Sequence, residues 1–269
     1  MKFLILFIPL FLFSCSKIQT GLKFAPRMAT GQIDKAFDLE SQRYDSIKAQ
    51  IEADIQASQK DVAQKVIACI EVLEKNYLNK IPDLQSLILI YDQVSETQNF
   101  ILNQFANSTK MVLERLTDKE ISYFKKHIDE KFKDEVLKSK DSDAFLEKQI
   151  SRFEKSFDFF LDDLTNEQEQ MIRVFVKEHL DYFANRILNR KKFSEDIYLK
   201  MKTKEPLLNF FNEQYMMMSF LLLKDEGQKK YLQDFFEFNL KFKKTMSEKQ
   251  IKYFKKTTSG YKTELLDIK

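Results

Sequence analysis

From Tyr44 to Tyr77 the chain has neither glycine nor proline, while Tyr44, Ile47, Ile51, Ile55, Val62, Val66, Ile70, Leu73 and Tyr77 recur on one helical face. At about 1.5 Å per residue this predicts one helix on the order of 50 Å long. Pro82 suits the opening of a second helix, where a missing N–H costs nothing. Leu84, Leu87, Ile88, Tyr91, Ile101, Leu102 and Phe105 then form the next stripe. So short a connection makes the two antiparallel neighbours. With only 4 Gly and 4 Pro in 269 residues, few places are punctuated as β-turns. The fold class that follows is all-α, an irregular bundle or array of long antiparallel helices.

Further along, one local pattern returns three times: Leu116-Thr117 with Glu120, Leu164-Thr165 with Gln168, and Met246-Ser247 with Gln250. Each is a capping box, in which a hydroxyl accepts from the amide three residues on and the Glu or Gln side chain reaches back. Apolar residues at helical spacing follow every copy, as in Ile121, Phe124 and Ile128. Three helix starts are thereby predicted. Asp225 with Gln228, beside Gly227, suggests a fourth, and Phe37-Asp38-Leu39 with Gln42 reads as a degenerate copy opening the long helix. The copies are unequally spaced, which excludes a solenoid of fixed period.

The N-terminus reads as an export signal. Lys2 supplies a positive start, and Phe3 to Phe13 is an apolar run of about 16 Å, too short for a hydrocarbon core of roughly 30 Å. It ends in Leu12-Phe13-Ser14-Cys15, which resembles a lipobox, with a small residue before the cysteine that receives lipid. Residues 1–14 are read as a signal peptide, 15–36 as lipidated N-terminus and tether, and 37–269 as the helical domain, with a sub-boundary near 108–116. The competing readings are an ordinary secretory signal with a chance cysteine, or a buried N-terminal helix in a cytoplasmic protein. Ser16, where an Asp would retain a Gram-negative lipoprotein at the inner membrane, favours the outer membrane facing the periplasm.

Composition narrows the partners. Lys+Arg 44 against Asp+Glu 41 is a near balance, so charge runs such as Lys191-Lys192 read as solvated helix faces and no nucleic acid is expected. If Cys15 is acylated, Cys69 is a free thiol with no partner in the chain, set among Val66, Ile70 and Leu73 in an apolar role. The 26 Phe residues recur as packing stripes, for example Phe153, Phe157 and Phe160, or Phe235, Phe238 and Phe242, and are read as core. Tyr215 to Leu223, with Met216, Met217 and Met218, reads as the most buried helix; a Met-rich binding surface is the alternative.

The cap motifs resemble the leucine-threonine-x-x-glutamine signature of small periplasmic chaperones of the Spy and CpxP type. Over nearly the whole chain, Cys15-Ser16, Gly21-Leu22-Lys23-Phe24, Phe37-Asp38-Leu39 with Gln42, the long helix and the repeated caps resemble a family of uncharacterised helical lipoproteins of Gram-negative bacteria, a domain of unknown function. That second resemblance implies location and fold; it carries no activity and no catalytic residue.

Chemistry is harder to find. His127 and His179 each sit two residues before an aspartate, which puts the pair about 200° apart on a helix and off a shared metal-binding face. Asp162-Asp163 precedes the Thr165 cap, and no phosphate loop, nucleophile elbow or zinc motif occurs. No enzyme, cofactor or metal is therefore expected. The expected function is a lipid-anchored periplasmic module that engages a protein partner or an unfolded client, with the membrane met through Cys15. The competing expectation is an envelope hydrolase whose carboxylates converge only in three dimensions.

Overall fold

The computed structural model describes residues 18–205, 207 and 219–268. Among them ten α-helices and no strand are found: α1 (Ile18–Phe37), α2 (Ser41–Leu73), α3 (Leu84–Gln104), α4 (Ala106–Leu113), α5 (Asp118–Lys140), α6 (Ser142–Leu161), α7 (Asn166–Glu178), α8 (Leu180–Thr203), α9 (Glu226–Thr245) and α10 (Glu248–Leu266). The chain is all-α. The leader with Cys15, and Met216 to Met218, lie outside the described residues.

Helix α2 is the spine, packing against α1, α3, α4 and α10, and it ends in a π-turn, Glu74–Leu78. One extra residue in that turn brings the consecutive residues Asn76, Tyr77 and Leu78 all inward. Asp83 opens α3 by accepting from the Ser86 amide at 2.7 Å, so Pro82 precedes the cap rather than starting the helix. On the other side of the molecule α5 packs against α1, α6 and α8, while α9 bridges α3 and α7.

Two bends subdivide long helical runs. Phe105 separates α3 from α4, and a buried amide in the first turn of α4 is satisfied by Asp54 of α2, whose Oδ2 accepts from the Ser108 N–H at 3.0 Å. His179 marks the bend between α7 and α8.

Residues 18–36, within the segment read as a tether, form α1 instead. Leu22, Ala25, Ala29, Ile33, Ala36 and Phe37 give it an apolar face that joins Ile47 and Ile51 of α2 and Ile121 of α5. Pro26 stands inside this helix, where its missing N–H costs the Leu22 carbonyl its usual donor, and one turn on the buried Thr30 hydroxyl donates to the Pro26 carbonyl at 2.7 Å. The N-terminal end of α1 is docked too, with the Ile18 amide donating to Glu264 of α10 at 3.1 Å.

Candidate functional site

All three capping boxes form reciprocal bonds. Thr165 Oγ1 accepts from the Gln168 amide at 3.3 Å while Gln168 Oε1 accepts from the Thr165 amide at 3.0 Å, and Ser247 and Gln250 repeat the exchange at 3.2 and 2.9 Å. The two glutamines then meet. Gln168 Nε2 donates to Gln250 Oε1 at 3.1 Å, and Gln250 Nε2 donates to Gln168 Oε1 at 2.8 Å. Each amide also reaches a carbonyl two residues before the opposite cap, Gln168 to Thr245 at 3.3 Å and Gln250 to Asp163 at 2.8 Å. Both glutamines are buried. The motif thus opens two helices and pins their starts together.

At the third box, Glu120 Oε2 accepts from the Thr117 amide at 2.7 Å and from Arg43 Nη1 at 2.7 Å. Arg43 also donates to the Val112 carbonyl at 2.7 Å and to that of Arg115, again two residues before the cap. Here an arginine from α2 takes the place of the partnering glutamine. The degenerate copy behaves differently, since α2 opens at Glu40 with no side-chain cap bond. Pairing of motifs over 77 and 82 residues of chain was invisible to a local reading.

Between α3, α5, α6, α8, α9 and the first turns of α10 lies a cavity of about 1030 Å³. Its walls are mainly aromatic: Phe153 and Phe157 of α6 face Phe235 and Phe242 of α9, with ring centroids 6.5 Å apart for Phe153 and Phe235 and 4.6 Å for Phe157 and Phe242. Tyr77, buried within the π-turn, closes part of the wall. The phenylalanine stripes are therefore core on one flank and cavity lining on the other. Lys243 lies behind Tyr77, its buried Nζ 5.3 Å from the ring centroid and without a hydrogen-bond partner among the described residues; burial and Lys255 hold its pKa down.

The mouth is cationic. Lys138, Lys148, Arg152, Lys155, Arg186 and Arg190 line it, with Glu135 the one carboxylate among the described lining residues. Glu135 is already paired with Arg190. Arg152 and Arg186 have no carboxylate partner among the described residues; Arg152 donates to Gln149 at 3.2 Å and Arg186 lies over the Tyr182 ring. Burial, then Arg190 and Arg186, outweigh Glu135 and hold the Arg152 pKa below its ordinary value.

Other singled-out residues stand apart from this cavity lining. His179 Nδ1 faces the Phe175 carbonyl at 2.8 Å and Nε2 faces Asp234 Oδ2 at 3.1 Å, whereas His127, half-buried on α5, is held below its usual pKa by burial and Lys131. No group of three or more His, Cys, Asp or Glu placed for a metal ion occurs among the described residues. Cys69 is a half-buried free thiol whose pKa burial raises, beside Thr97. Glu154 and Asp158, both raised first by burial and then by neighbouring carboxylates, belong to an acidic patch with Asp163 and Glu169 on the open α6–α7 side.

A family model described as a family of unknown function, DUF6279, matches residues 37–218, most of the chain. The chain belongs to DUF6279. Neither a curated protein nor a solved structure matches it. The DUF6279 match spans α2 to α8, hence the cationic mouth, while the α9 and α10 walls and the Ser247 cap lie beyond it. Sequence reasoning missed the mouth because its cations were taken for solvated faces. The signal was there: Lys148 and Arg152, and Arg186 and Arg190, are four apart on two helices.

Proposed function

We propose that this DUF6279 protein is a non-enzymatic binding protein, held by lipid on Cys15 at the periplasmic face of the outer membrane, and that it works as an interaction or chaperone-like module through the aromatic cavity. The cavity carries the reading: a large, apolar, largely pre-formed concavity with a few polar groups at its rim is the common form of a ligand site. The hydrolase alternative would draw on Glu154 and Asp158, but these stand on an open face and not around an enclosed substrate pocket.

Anchoring and cavity are compatible in geometry. Two residues, Ser16 and Lys17, separate Cys15 from Ile18, a reach of about 10 Å at most, so lipid on Cys15 would set the α1 and α10 end close to the bilayer. The test uses intact envelopes and a photo-crosslinking residue at Ser156, in the mouth, or at exposed Val174, away from it. Adducts are expected from position 156 and not from 174. Identical patterns from both, or none from either, would remove the cavity from the function.

A further inference from the structure

We propose that the cavity binds a single-chain amphiphile with an anionic head, of the fatty-acid class, its acyl chain against the phenylalanines and its carboxylate between Arg152 and Arg186. This rests on the reading of the cavity as a binding site and takes its occupant to be an amphiphile in place of a protein client.

Inside, Phe153, Phe157 and Phe235, each only half-buried, line the cavity, so apolar surface faces space that no described residue fills. An alkyl chain meets such walls without leaving a polar group unpaired, whereas a peptide backbone would bring amides with few partners there. At the rim the charges do not balance. Six cations and one carboxylate line it; that carboxylate is committed to Arg190 and Lys138 is paired with Asp134 at 3.1 Å, which leaves Arg152 and Arg186 without a carboxylate partner among the described residues. Arg152 on α6 and Arg186 on α8 both line the cavity and carry donors to spare, the planar forks that match a carboxylate. Solvation alone could satisfy one such cation. Three guanidiniums gathered over an apolar cavity repel one another, and an anion placed among them relieves that repulsion while its chain is buried below.

A neutral ligand would gain nothing from the rim and a cationic one would be rejected by it. Head and chain together therefore select an acidic amphiphile. Glu135 sets a limit on the number of charges to be offset, since it already neutralises Arg190 and leaves Arg152 and Arg186 as the pair to be met.

The test takes the full chain in phosphatidylcholine nanodiscs and three photoreactive alkyl probes of identical chain length, ending in a carboxylate, a primary alcohol or a primary amine. Crosslinked peptides are then mapped, so that label on the 142–161 and 226–245 segments is separated from acyl groups carried at Cys15. The carboxylate probe is expected to label these segments roughly tenfold more than the alcohol, the scale of one charge-assisted hydrogen bond, with the amine lowest. The double variant Arg152→Glu and Arg186→Glu should bring carboxylate labelling down to the level of the alcohol, with labelling by the alcohol kept. Equal labelling by all three heads on the native protein would overturn the anionic head while leaving an apolar site in place. No cavity label from any probe would overturn the binding reading itself.

Discussion

Gln168 has a different part from Thr165, although both belong to one capping box. The hydroxyl of Thr165 satisfies one amide at a helix start, and its loss in Thr165→Ala should lower stability by about 0.5–2 kcal/mol. Gln168 is fully buried and holds Thr165, Thr245 and Gln250 at once. Gln168→Ala strands several buried polar groups, each costing about 1–3 kcal/mol when left unmade. The urea midpoint should therefore fall further for Gln168→Ala than for Thr165→Ala, and Gln168→Ala with Gln250→Ala should cost less than the sum of the two. Additive losses would mean that the amides do not act as a pair. Asp234 gives a pH dependence of known sign. Its partial burial resists ionisation, but Lys230 and His179 outweigh that and hold its pKa below the ordinary aspartate value. A depressed folded pKa stabilises the fold above the unfolded value of about 3.9, and that stability is lost as pH falls through the folded pKa. Asp234→Asn should accordingly narrow the gap in melting temperature between neutral and acid solution. An unchanged gap would show that Asp234 contributes nothing to it. At this scale the sequence named the cap residues, because capping is a bond between neighbours three apart. It did not name Arg43 as the partner of Glu120, since nothing local marks an arginine that acts across 77 residues.

Among the elements, α1 separates what periodicity reveals from what punctuation hides. Gly21, Pro26 and Gly31 look like a broken segment, yet Leu22, Ala25, Ala29, Ile33 and Ala36 keep one face, and none of the three interrupts the helix. Packing against α2 and α5 overrides weak propensity, as it commonly does. The consequence is measurable by hydrogen exchange. Amides over 27–36 of α1 should exchange as slowly as those of α2, whereas a tether would exchange at once. A stretch with no protection would return the N-terminus to the tether reading. The long helix was legible for the converse reason, since an uninterrupted stripe over Tyr44 to Tyr77 leaves few other structures open. Its π-turn was not, because one added residue shifts the register by less than the tolerance of the pattern.

For the whole molecule, the question is how stability and the cavity share one set of phenylalanines. Periodicity tells which face of α6 or α9 turns inward, but not whether a partner awaits it there, so core and cavity wall looked alike in sequence. Energetics distinguishes them. Ile172 is fully enclosed, and truncation to Ala removes transfer free energy and opens a new void, a cost of about 2–5 kcal/mol. Phe157 is only half-buried and already borders empty space, so on that side it lacks the neighbours whose loss makes a core truncation costly. Phe157→Ala should destabilise by less than the 3–5 kcal/mol typical of an enclosed phenylalanine. Its main effect should appear in binding, as weaker protection of the fold by an alkyl carboxylate, because a ligand that prefers the native state raises the melting temperature with its concentration. Thermal unfolding of Ile172→Ala and Phe157→Ala, each with and without dodecanoate, puts the two side by side. Ile172→Ala should melt lower and keep the ligand-induced rise, while Phe157→Ala should melt near the native protein and lose most of it. The reverse pattern would place Phe157 in the load of the core and move the binding site elsewhere.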